Sequence, residues 1–216
     1  MPALHELFMS AISEERERIV SRRTLVGTGT KLAIGGAAAM AMASSPALTK
    51  LVAAQAFEDD IDILNYALTL EHLESKFYRD GVDQFTAEDF NDGVFDNLNL
   101  IRDHEVTHVD TLISTIESLG GTPVEEATYD FGYDDADGFL GVAAALENTG
   151  VSAYDGAAAS IENVDLLNAA GTIVAIEARH ASYLNLITGA DPFPAAFETP
   201  LTRAEVLEIA GPFIVQ

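Results

Sequence analysis

Four segments of the chain repeat apolar residues at alternating steps of three and four, the spacing that lines one face of an α-helix. The first covers roughly Asp59–Asp80, with the stripe Ile61, Leu64, Leu68, Glu71, Ser75 and Tyr78. Its acidic start, "EDDID", suits a helix N-terminus. The second covers roughly Val94–Leu119, with Leu98, Ile101, Glu105, His108, Leu112, Thr115 and Leu119, and Gly120–Gly121 ends it. The third, roughly Phe139–Ile161, carries Leu140, Ala144, Glu147, Val151, Tyr154, Ala158 and Ile161. The fourth, roughly Asp165–Thr188, carries Leu166, Ala170, Ile173, Glu177, His180, Leu184 and Ile187, and Gly189 closes it. Asp80–Gly93 is turn-rich, whereas Thr122–Gly138 has no sustained period and reads as a long connection. A Pro-rich tail from Ala190 holds one short helix near Thr202–Ile209. No strand pattern of any length is present, so the expected fold is all-α, a four-helix bundle plus a short C-terminal helix.

Every stripe is interrupted near its middle by a glutamate: Glu71, Glu105, Glu147 and Glu177. In the second and fourth a histidine follows three residues later, His108 and His180. Side chains at i and i+3 share a helix face at about 5–6 Å between Cβ atoms, close enough to hold one ion together. Buried carboxylates without compensation cost several kcal/mol, and four facing one another cannot all ionise. Beyond Ala56 the only lysines and arginines are Lys76, Arg79, Arg102, Arg179 and Arg203, none on a stripe. Two divalent cations would balance four carboxylates and two neutral imidazoles, which predicts a dinuclear metal site. For Glu105 and Glu147 to lie at one depth, the second and third helices must run parallel. Such a pair needs a crossover as long as Thr122–Gly138.

Several neighbours receive plainer readings. His72 and His104 stand beside ligand positions and should point off the stripes, and Glu74 reads as a surface residue, with contact to the ligands from behind as the alternative. Tyr154, seven residues after Glu147 on the same face, is either a core tyrosine with a satisfied hydroxyl or a group that bonds a ligand or carries a radical.

Composition narrows the chemistry. Of 216 residues, 48% are hydrophobic, enough for a substantial core, and none is cysteine, which excludes disulfides, thiolate metal sites and cysteine nucleophiles. The formal net charge of −24 repels nucleic acid. So acidic a surface with so little lysine matches proteins that work in strong salt, an acidic mesophilic protein being the alternative. Residues 1–56 read as an address rather than as part of the domain at 57–216. "SRRTLV" (Ser21–Val26) precedes a short apolar run from Leu32 to Ala43 and then A-x-A-like sites, and it resembles a twin-arginine export signal. The expected partner is the twin-arginine translocation machinery and the expected location periplasmic, cell-surface or extracellular. An uncleaved membrane tether is the rival reading, although the run is shorter than the ~20 residues a spanning helix needs.

One glutamate per helix with Glu-x-x-His on the second and fourth resembles the ligand set of ferritin-like di-iron carboxylate proteins. More narrowly, "ILNYALTLEHLESKFY", "LENTGVSAYDGAA", "IEARHASYL" and "FETPLTRAEVL" resemble an exported ferritin-like family related to plant desiccation-related proteins. The resemblance spans about Asp59 to Phe213. It implies a ferritin-like bundle with two iron or manganese ions, with Glu71 and Glu147 terminal, Glu105 and Glu177 bridging, and His108 and His180 one per metal. It implies no single reaction. Oxidation of Fe(II) or reduction of dioxygen or peroxide in stress defence leads. Manganese catalase-like disproportionation and a non-catalytic desiccation protein with a structural metal are the alternatives. Whether the chain forms a homo-oligomer stays open.

Overall fold

The computed structural model describes residues 57–215, so the export-signal reading falls on residues outside the described ones. Residues 57–193 and those from Pro200 onward form one compact unit; Pro194–Thr199 falls outside it. Among the described residues, no helix is long and apolar enough to cross a membrane.

The unit is built on four long helices: α1 (Asp60–Gln84), α2 (Val94–Ser118), α3 (Ala136–Ala158) and α4 (Val164–Ile187). A short α5 (Arg203–Ala210) follows. Their starts have local causes. Asp59 caps α1 by accepting from the Asp62 N–H, Asp135 caps α3 through the Gly138 N–H, and Thr202 and Glu205 form a reciprocal capping box on α5. Gly120 and Gly189 take left-handed backbone just past α2 and α4, with φ near 80° and 82°, as helix-stop glycines do.

Two boundaries differ from the sequence reading. α1 continues four residues past Asp80, through a stretch read as a turn, and α3 begins at Ala136 and ends at Ala158. Gly81 explains the first. A Cβ there would lie 2.0 Å from the Phe139 ring, so this glycine admits an aromatic side chain from α3 instead of ending its own helix.

The helices form two antiparallel hairpins, α1–α2 and α3–α4. Asp60, at the start of α1, accepts hydrogen bonds from the Glu162 and Asn163 N–H groups (2.8 and 2.9 Å), in the link between α3 and α4. Gly121, just past α2, lies against Ile61. The starts of α1 and α4 and the ends of α2 and α3 therefore share one end of the bundle, and α2 runs parallel to α3.

That arrangement obliges the connection to travel the length of the molecule, and it does so along α1. Asn65 holds its first part, donating to the Thr122 carbonyl (3.2 Å) and accepting from the Val124 N–H (2.8 Å). His72 Nε2 then meets the Val124 carbonyl at 3.1 Å, and Arg79 pairs with Glu126. Thr128–Tyr129 pair antiparallel with Ile214–Val215, a two-residue ladder too short to leave a periodic signal. Phe131 packs edge-on against Phe77. Covered in this way, α1 is buried on most of its circumference.

The two ends of the bundle are filled differently. At one, Phe77 stacks on Phe139 with centroids 4.5 Å apart, and Tyr78, Phe85, Phe90 and Tyr133 surround the pair. At the other, smaller side chains leave an apolar cavity of ≈ 50 Å³, bordered by Leu64, Ala67, Leu112, Ala157, Ala170 and Ile173 among others. Stripe residues Leu68, Leu98, Ile101, Leu112 and Leu184 are in the core; Leu119 is 42% exposed and Ile116 takes its place inside.

Candidate metal centre

Midway along the bundle every long helix turns a glutamate inward, and Glu71, Glu105, Glu147 and Glu177 are all 0% exposed. Depth follows from the parallel pair: Glu105 stands as far along the chain from Val94 as Glu147 stands from Ala136. His108 and His180, one turn on from their glutamates, are buried beside them. The six sequence-predicted residues thus lie in one cluster.

Within it, two overlapping sets each present ligand atoms all within 4.8 Å of one another: Glu71, Glu105, His108 and Glu177, and Glu105, Glu147, Glu177 and His180. Glu105 and Glu177 belong to both. His108 Nδ1 faces Glu71 Oε2 at 3.3 Å, Glu105 Oε2 at 3.2 Å and Glu177 Oε1 at 3.1 Å. His180 Nδ1 faces Glu105 Oε1 at 3.1 Å and Glu147 Oε2 at 3.2 Å.

One ring nitrogen carries at most one proton, so it cannot hydrogen-bond three carboxylates at once. Spacings near 3 Å among several ligand atoms are the edges expected around a cation held by bonds of about 2.1 Å in octahedral geometry. Glu71 Oε2, Glu105 Oε1 and both Glu177 oxygens are buried without a hydrogen-bond partner, which a dry interior does not tolerate without another acceptor of their charge. Lysines and arginines do not supply it: Lys76, Arg79, Arg102 and Arg203 pair with Asp80, Glu126, Asp103 and Asp62 outside the cluster, and Arg179 is exposed. The donor set fits a pair of hard-to-borderline divalent ions.

Without ions, protons bear the charge. Burial, then the neighbouring Glu177, pushes the Glu105 carboxyl up to about 8. Burial, then Glu147 and Glu71, raises Glu177 well above the carboxylate range, and burial with Glu105 raises Glu147. For the imidazoles, burial works downward, but hydrogen bonding to the carboxylates overrides it and holds His108 at about 12 and His180 at about 10.

Two tyrosines brace the carboxylates crosswise. Tyr78 on α1 donates to Glu147 Oε1 on α3 (2.7 Å), and Tyr154 on α3 donates to Glu71 Oε1 on α1 (2.5 Å). Tyr154 is therefore a core tyrosine with a satisfied hydroxyl, and the acceptor is Glu71 of the cluster. Tyr78 was given no role by the sequence, although it stands seven residues after Glu71 just as Tyr154 stands seven after Glu147. Of the other neighbours, Glu74 departs from its plain reading and His72 points off the stripe as expected. Glu74, read as a surface residue, is 3% exposed, because the crossover covers the outer side of α1 and widens its buried arc beyond the stripe. His72 is buried for the same reason and holds the crossover instead of a ligand. His104 does lie at the surface, yet its Nδ1 is 2.9 Å from His180 Nε2, the ring nitrogen turned away from the carboxylates.

A family model for the ferritin-like domain matches residues 59–190, a span that contains all six residues of the cluster. The chain belongs to the ferritin-like domain family. A solved structure, the crystal structure of a conserved hypothetical protein from Mycobacterium tuberculosis, is similar at 25% identity. It aligns over 62% of this chain and 94% of that one, with a TM-score of 0.52. No curated protein matches. This ferritin-like chain is thus a helical bundle with a buried Glu/His cluster that could hold metal.

Proposed function

We propose that this ferritin-like protein is exported by the twin-arginine route and uses a dinuclear iron or manganese centre to react with dioxygen or hydrogen peroxide. Glu71 and His108 would serve one ion, Glu147 and His180 the other, and Glu105 and Glu177 would bridge. The supporting observation is the crowding of two imidazole nitrogens against four buried carboxylates at 3.1–3.3 Å, with four carboxylate oxygens left without a hydrogen-bond partner.

Bound there, two iron or manganese ions supply two one-electron changes, matching the two electrons that convert peroxide and two protons to two waters. The protein's part is preparation. Tyr78 and Tyr154 fix the orientation of Glu147 and Glu71, leaving Glu105 and Glu177 without such a brace. Carboxylates change binding mode at little cost, unlike the closed thiolate and imidazole shells of structural zinc. The apolar cavity reaches Tyr154, so a small uncharged oxidant can approach within one side chain of Glu71.

The test is elemental analysis of protein purified from its own export pathway, followed by anaerobic Fe(II) loading and exposure to dioxygen or peroxide. About two ions per chain and oxidation faster than in buffer are expected. Rapid peroxide loss from a manganese-loaded form moves the reading to disproportionation. Two ions without turnover leave a bundle stapled by metal.

A further inference from the structure

The hairpins α1–α2 and α3–α4 are related by an approximate twofold. Glu71 and Tyr78 on α1 correspond to Glu147 and Tyr154 on α3 at identical spacing, and the two tyrosines bond the opposite glutamates reciprocally. Glu105 and His108 on α2 correspond to Glu177 and His180 on α4. The match breaks at a position packed directly against the carboxylates. Three residues after Glu71 stands Glu74; three after Glu147 stands Gly150.

These two unmatched positions meet. A Cβ on Gly150 would lie 3.0 Å from Glu74 Oε1 and 3.3 Å from Glu177 Oε2. The glycine leaves open a space into which the Glu74 carboxylate projects next to a bridging candidate. Two acidic side chains at the paired positions would compete for that space, and even an alanine would crowd it. Glu74 is 3% exposed, so its carboxylate is held in the interior beside the cluster. It therefore lies against α3, the helix that carries Glu147 one turn earlier, and beside Glu177.

We infer that Glu74 is a fifth carboxylate of the metal centre, seated on the Glu147–Glu177–His180 side, and that it makes the two metal positions unequal. Four carboxylates match the charge of two divalent ions; a fifth matches one divalent and one trivalent ion. The unequal charge gives one half of an otherwise paired site a preference for the higher oxidation state. The inference rests on the dinuclear reading above.

The experiment titrates metal-free full-length protein anaerobically with Mn(II), and with Fe(II) followed by Mössbauer spectroscopy, in the wild type, Glu74→Gln and Gly150→Ala. Wild type should bind two ions and show two distinct iron environments. Glu74→Gln keeps the side-chain shape and removes the charge. It should weaken one of the two equivalents by roughly 10–100-fold, the range for loss of a supporting group at a metal site, and bring the two iron signals together. Gly150→Ala, which crowds the same carboxylate, should weaken the same equivalent. Thermal melting of the metal-free variants separates a lost fold from a lost ligand. Two ions bound by Glu74→Gln with wild-type affinities and an unchanged spectrum overturn the inference and leave the dinuclear reading standing. So does unaltered binding by Gly150→Ala. A wild type that binds neither metal defeats the dinuclear reading instead.

Discussion

The two hairpins present the same glutamates, histidines and tyrosines to the centre, yet their surroundings differ. α1 is wrapped by the crossover and buried on most sides, while the outer face of α4 is open, with Val164 66% and Leu186 62% exposed. The equivalent positions Ile63 and Phe139 fall at opposite ends of the bundle, one beside a cavity and the other in a stack of aromatic rings. Where the first hairpin has His104 and Glu74, the second has Ile176 and Gly150 at the matching places. What the halves share is the set needed to hold two ions; what separates them controls access, rigidity and charge.

The most damaging change should be at a residue common to both halves of the centre. Glu105→Ala removes a ligand atom from both sets, so both ions should be lost. The metal-free variant should melt no lower than metal-free wild type, because a buried carboxylate raised to about 8 is itself a cost. Elemental analysis and calorimetry check the two halves of that statement. Loss of one ion only would mean that Glu105 serves a single position.

Acidity should act on both halves together. Glu105, Glu147 and Glu177 are raised in the fold, chiefly by burial, and His108 and His180 are held up at about 12 and 10 by the facing carboxylates. A folded-state pKa above the unfolded value gives stability that is complete below the unfolded value and lost as pH rises toward the folded one. Every one of these shifts has that sign. The metal-free protein should therefore melt highest near pH ~4–5 and progressively lower as the pH climbs through about 8. With metal bound the trend should reverse, because ions displace those protons and bind more tightly as pH rises. Melting curves across pH with and without Mn(II) decide it.

The unequal ends can be probed by stability alone. Phe139→Ala empties the aromatic stack and should cost about 3–5 kcal/mol, while Ile63→Ala, beside an existing cavity, should fall nearer ~2 kcal/mol. Denaturant unfolding measures both, and equal losses would erase the contrast. The gentlest test of the twofold is the tyrosine pair. Tyr78→Phe and Tyr154→Phe each delete one hydroxyl bond to a carboxylate and should each lower metal affinity by roughly 10–100-fold. A much larger effect of one would mean that the two braces are not equivalent.

The four long helices and the six central residues were legible because helical periodicity is local. A glutamate that breaks an apolar stripe is visible without knowing what it faces. The parallel relation of α2 and α3 was legible for a similar reason, since depth along a helix can be counted. Gly81 was misread because the same residue type serves a turn and a close approach, and only Phe139 distinguishes them.

By itself, then, the sequence determined which segments coil, which face of each turns inward and which six side chains meet there, because those properties depend on residues within a turn or two of one another. Only the tertiary structure decided that the crossover runs along α1, and with it that Glu74 and His72 are buried. It also decided that each tyrosine bonds the glutamate of the other hairpin and that Gly150 makes room for Glu74. Those outcomes depend on how elements distant in the chain are covered and phased against each other, and a stripe records the direction of a buried face but not its width.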